Sequence, residues 1–159
     1  MCAGLALFRD MNEIRVFFPN PRARLLCMKL EGGPQVEAIW GRRNQQEYPE
    51  SGLPVTGWAR KESLDAGKWD RFQGEHVYVP ALSYMEKDAG RQSHWFDLER
   101  DQFLVGMLVG WRDLKFVYMV TVPTPEMYRH IHHRWVLIQQ LLNVQKPLPP
   151  GGGSERALF

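Results

Sequence analysis

The chain has 159 residues, of which 44% are hydrophobic and 24% charged, with a formal net charge of +2. That length suits one domain with a proper core and is short for two, and the composition excludes wholesale disorder. The charge is too small to single out a polyanionic partner, and no run approaches the ~18 apolar residues of a membrane-spanning helix.

The chain opens MCAGLALF, with Cys2 directly behind the initiator methionine. Removal of Met1, which a small second side chain favours, leaves a terminal residue with an amine and a thiol on one carbon. In peptides these titrate near ~8 and ~8.5, so part of each is nucleophilic at neutral pH. The run LALFRDMNEIRVFF is broken by Arg9, Asp10, Asn12, Glu13 and Arg15, unlike the apolar segment of a secretory signal. Asp10 suits the N-cap of a short helix.

Strands are predicted at LLCMKL (25–30), VEAIW (36–40), HVYVPAL (76–82), HWFDL (94–98), FLVGMLVGW (103–111) and KFVYMVTV (115–122). These runs are β-branched or aromatic and end at Gly, Pro or charged turns. RRNQQEYPESGLPVTG (42–57) is polar and turn-rich, a long surface loop of the kind that often carries function. Residues 125–143 predict a longer helix, broken near the histidines. The expected organisation is one domain over 1–145 and a Pro/Gly-rich tail over 146–159. The expected fold class is α+β: a strand-rich antiparallel sheet, curled or barrel-like, flanked by a few short helices.

Cys2 and Cys27 form neither a disulfide framework nor a C-x-x-C pair, so a soluble cytoplasmic protein is expected. His130, His132 and His133 lack the H-E-x-x-H spacing and an acidic partner at a useful offset, so neither metal nor cofactor is expected.

Four fragments in order carry a resemblance. MCAG is similar to MCGR. IWG (39–41) followed by WARKES (58–63) is similar to WGL and NARxET, with Trp58 where the asparagine stands. VYVPALSYMEK (77–87) resembles CLVPADGFYEW, with Pro80, Ala81, Tyr84 and Glu86 in register. VTVPTPEMYRHIHHRW (120–135) is similar to ITTPANELVAPIHDRMP, with His132 in register and Arg134 after it. Together they resemble the SOS response-associated peptidase (SRAP) family, whose members crosslink themselves to abasic sites in single-stranded DNA during the DNA damage response.

The resemblance implies a monomeric partner of abasic single-stranded DNA. Cys2 would attack the ring-opened sugar aldehyde through its amine and close a thiazolidine through its thiol, an intramolecular step favoured by proximity. Glu86 would hold or deprotonate the amine, His132 would assist ring opening, and Arg60 would clamp a phosphate. Arg42, Arg43, Trp58 and Arg134 would complete a basic and aromatic DNA-binding surface. Trp58, Ala3 and Gly4 depart from the family pattern. Two rival readings stay open: a degenerate, non-catalytic DNA- or protein-binding module, and an N-terminal-nucleophile amidase or peptidase using the same Cys, Glu and His.

Overall fold

A computed structural model describes residues 2–29, 35–144 and 146, and for Cys2 the backbone only. In chain order the elements are β1 (Cys2–Arg9), β2 (Asn12–Phe17), β3 (Arg24–Lys29), β4 (Val36–Trp40), β5 (Trp58–Arg60), the short helix α1 (Lys61–Asp65), β6 (Glu75–Val79), β7 (Ser83–Lys87), β8 (Ser93–Asp97), β9 (Gln102–Trp111), β10 (Leu114–Pro123), β11 (Arg134–Val136) and β12 (Ile138–Gln140). Single 3-10 turns cover Asp70–Phe72 and Glu126–Tyr128. The fold is α+β and strand-rich, as the sequence predicts.

Strands β10, β4, β3, β6 and β9 pair in that order and β9 pairs back to β10, closing a five-stranded barrel. The pairings are antiparallel apart from two, β4 with β10 and β5 with β10, which are parallel. Alternate residues fill the interior: Leu25 and Cys27, Ala38 and Trp40, Val77 and Val79, Leu104 and Leu108, Val117 and Met119 all belong to one buried cluster. Gly106 falls in the same alternation, and a Cβ there would stand 2.7 Å from Val117 Cγ2.

The outer faces of β9 and β10 are buried as well. Val105, Met107, Val109, Phe116, Tyr118 and Val120 form a second cluster, covered by Leu53 and Tyr48 of the 42–57 loop and by Leu64, Trp69 and Phe72. Burial on both faces explains why these two strands read as continuous apolar runs rather than alternating ones.

Four further strands form a separate antiparallel sheet in the order β2-β1-β7-β8. Its inner face contributes Leu5, Leu7 and Tyr84 to the barrel's own cluster, with Ile14, Val16 and Phe96 against them.

Two expected helices are strands instead. Asp10 caps no helix: it and Met11 take φ of 49° and 67° and turn the chain between β1 and β2. Of the polar residues that break the apolar run, Arg9 ends β1, Asp10 is in the turn, and Glu13 and Arg15 are outward positions of β2, whose burial alternates from Glu13 on. Over 125–143 only one 3-10 turn is helical. The β9–β10 pairing ends at Gly106 and Met119, and the separated ends need partners. β11 pairs with Thr121–Pro123 of β10 and β12 with Gln102–Leu104 of β9, while Leu137 between them bonds both strands.

Lys146, expected to open the tail, belongs to the fold: its buried Nζ donates to Ala81 O at 2.9 Å and Glu99 O at 2.8 Å. The rest of the tail, residues 147–159, lies outside the described residues.

Gly106→Val will overpack the barrel interior and lower stability by about 1–3 kcal/mol, read as a reduced urea midpoint at unchanged slope.

Candidate functional site

The antiparallel register of β1 and β7 sets Cys2 opposite Glu86. The next pair is Gly4 with Met85, so Ala3 is an extra residue on β1, and its carbonyl accepts from Phe18 N at 3.0 Å. Bulges of this kind re-aim the chain at the end of a pairing. On β7, Tyr84 and Glu86 point to the core side and Met85 and Lys87 to the other. A slip of one residue would turn Glu86 out to solvent, and the buried Tyr84 opposes it.

Glu86 is fully buried, with 0% of its surface exposed. Burial pushes its carboxyl from 4.5 up to about 7, with the positive charge of the chain's amino terminus pulling the other way. A carboxyl at that value exchanges a proton near neutrality, as a general acid or base must.

His132 sits in the excursion between β10 and β11, closed at its neck by Thr124 N donating to His133 O at 3.3 Å. Ile131 is buried beside it, and Tyr128 stacks on Trp135 with centroids 5.0 Å apart. His132 Nδ1 accepts the Arg134 backbone N–H at 3.0 Å, which leaves the ring proton of the neutral form on Nε2. Burial lowers its pKa, helped by the charges of the amino terminus and of His133, whose ring stacks on it at 4.4 Å.

The basic residues divide. Arg60 is exposed at the end of β5, paired with Thr121 of β10, and is placed to meet an anion. Arg134 enters β11 buried, its guanidinium donating to Thr121 O at 2.7 Å and pairing with Glu62 at 3.0 Å. Arg42 is buried too: it donates to the carbonyls of Glu47, Leu53 and Gln45 at 2.7, 2.6 and 3.1 Å, so it holds the 42–57 loop together from inside. Both guanidinium groups are thus occupied within the fold rather than offered to a ligand. Arg43 pairs with Glu47, and Trp58 is half-buried, edge-on to Phe18 at 5.0 Å.

The roles of Thr121 and Glu62 have no signal in the sequence beyond the latter's place in WARKES. Cys27 lies inside the barrel, where burial pushes its thiol up to about 12 and removes it as a nucleophile at neutral pH. Among the described residues no group of three His, Cys, Asp or Glu side chains gathers to hold a metal ion. No helix among them is long and apolar enough to cross a membrane. No family model, no curated protein and no solved structure matches the chain.

The buried carboxyl sets a pH dependence. Below pH 4.5 Glu86 is protonated folded or unfolded; between 4.5 and about 7 only the unfolded chain releases the proton, so stability falls as pH rises through that window. The loss amounts to something on the order of 3 kcal/mol. Glu86→Gln will flatten the stability profile between pH 5 and 7 and raise the urea midpoint at pH 8. Arg42→Ala will destabilise by about 3 kcal/mol by stranding loop carbonyls, whereas Arg60→Ala will stay within about 0.5 kcal/mol of wild type in the same titration.

Proposed function

We propose that the protein is a SRAP-like domain that captures abasic sites in single-stranded DNA through Cys2. The single observation that carries this reading is the pairing of Cys2 with the buried Glu86, whose carboxyl is raised by burial to about 7. His132, with its proton on Nε2, supplies a second polar group for the proton traffic.

Once Met1 is gone, Glu86 takes a proton from the Cys2 ammonium and frees the lone pair. As the deoxyribose opens to its aldehyde, the proton of the C1 hydroxyl passes to the ring oxygen, and the Nε2–H of His132 hydrogen-bonds that oxygen as the bond to C1 breaks. The amine adds to C1 and water leaves, giving an imine; the thiol then adds to the same carbon as its proton passes to nitrogen. The product is a five-membered thiazolidine, with one water released. Arg60 is the best-placed cation for a flanking phosphate, because Arg42 and Arg134 are occupied internally.

The departure at Trp58, whose ring packs edge-on to Phe18, keeps one rival in play: a binding module without chemistry, whose DNA affinity is indifferent to Cys2→Ala. The two readings separate in one experiment. Protein shown by intact mass to lack Met1 is mixed with an abasic oligonucleotide and resolved under denaturing conditions. A covalent adduct is expected, absent in Cys2→Ala and slowed about a hundredfold in Glu86→Gln. Processed wild-type chain that yields no adduct overturns the proposal.

A further inference from the structure

The four-stranded sheet has a second face, turned away from the barrel. By register, one row across it reads Phe17, Gly4, Met85, Trp95 on β2, β1, β7 and β8. The middle of that face is low. Gly4 has no side chain, and the ideal Cβ position is only 3.0 Å from the Phe17 ring and 3.1 Å from Met85 Cε. Ala6 and Ser83, one step along, are small and covered. Side chains of the outer strands therefore meet above the inner ones. Phe17 and Trp95 lie edge to face with centroids 6.3 Å apart, and the Arg15 guanidinium lies over the Trp95 ring at 4.3 Å.

This cluster is half open. Phe17 is 41% exposed, Arg15 is exposed and Trp95 is half-buried. Aromatic surface combined with a guanidinium plane is what stacks unpaired bases and meets the phosphates between them. Position adds to the chemistry, for Gly4 is two residues from Cys2 and Met85 adjoins Glu86 on β7. Lys87, exposed and next along the same face of β7, puts a second cation at the Cys2 end of the row. The carboxylates of Glu13 and Asp97 fall on the opposite side of the row, away from Cys2.

We propose that this face, through Phe17, Trp95 and Arg15, is the platform on which single-stranded nucleic acid lies as it approaches the terminal cysteine. The inference rests on the reading of Cys2 as the capturing residue for its direction, and on the sheet face for its contacts. It assigns the grip on the strand to Phe17, Trp95 and Arg15, none of which lies in the four motif fragments.

The test uses the full chain and an undamaged oligothymidylate, which has no aldehyde to trap, with affinity read by fluorescence anisotropy at fixed low salt. Phe17→Leu keeps an apolar cover over Gly4 and removes the ring; Arg15→Gln removes the cation at an exposed position. Each is expected to weaken binding about tenfold, in line with the loss of one stacking or charge-assisted contact. With an abasic oligonucleotide, both are expected to raise the half-saturating DNA concentration and leave the maximal crosslinking rate unchanged. Unchanged affinity in both variants overturns the platform, as does absence of affinity in the wild type. It is equally overturned if the wild type is a dimer by sedimentation and Phe17→Leu makes it a monomer, which would give the face to a second copy of the chain. Weakened binding without any adduct would leave the platform standing and remove the capture chemistry; an adduct with unaltered affinity would do the reverse.

Discussion

The structure depends on β10 being occupied on all sides. Along one edge it bonds first β9 and then β11; along the other, first β4 and then β5. Phe116, Val117, Tyr118, Met119 and Val120 are each 0% exposed, because odd positions fill the barrel and even ones anchor the layer outside it. A strand buried on both faces and paired along both edges has no freedom of register, since a one-residue slip would exchange the two cores. Arg60 and Arg134 attach to the last residues of this strand, Thr121–Pro123, and the neck of the His132 loop to Thr124 directly after it. Their mutual placement is thus set by the most constrained part of the molecule.

The carboxyl opposite Cys2 is the opposite kind of feature. Placing an acid on the core side of β7 disfavours the fold at neutral pH, because its charged form has lost water. The surrounding packing holds it there regardless: Tyr84 on the same side of the strand hydrogen-bonds Trp135 Nε1 at 2.9 Å and stacks on Phe96. A group kept in an unfavourable place by well-formed neighbours is what a proton-transfer role requires.

Much of the strand layout is legible in the residues themselves. The runs that became β3, β4, β6, β8, β9 and β10 are β-branched or aromatic, and their predicted limits fall close to the observed ones. The misses have physical causes. β2 carries charge at its outward positions and so resembles a broken helix, and β11 and β12 form because the parted ends of β9 and β10 need hydrogen bonds, a requirement imposed from far along the chain. The candidate site divides in the same way. Which of Arg42, Arg43, Arg60 and Arg134 is buried and which is exposed cannot be read from residue type, because an arginine that gathers loop carbonyls and one that stands in solvent are the same letter. The proximity of Glu86 to Cys2 follows from a register that no local pattern reveals.

The loop at 42–57 leaves and re-enters the barrel at one point. Gly41 N donates to Val117 O, Met119 N donates to Gly57 O, and the neck is closed by Arg42 N to Thr56 O. Gly41, at φ of 60°, makes the exit with no room for a Cβ beside Thr56 O. β4 and β5 are therefore two halves of a single lane beside β10, interrupted by a detour that tucks Tyr48 and Leu53 over the outer cluster. In topological terms the detour is an insertion: its length is uncoupled from the order of the strands and from the register on either side. The loop over β9 and β10 can thus change in length while the strand order stays as it is, as long as Tyr48 and Leu53 still cover the outer cluster and Arg42 still gathers the loop carbonyls.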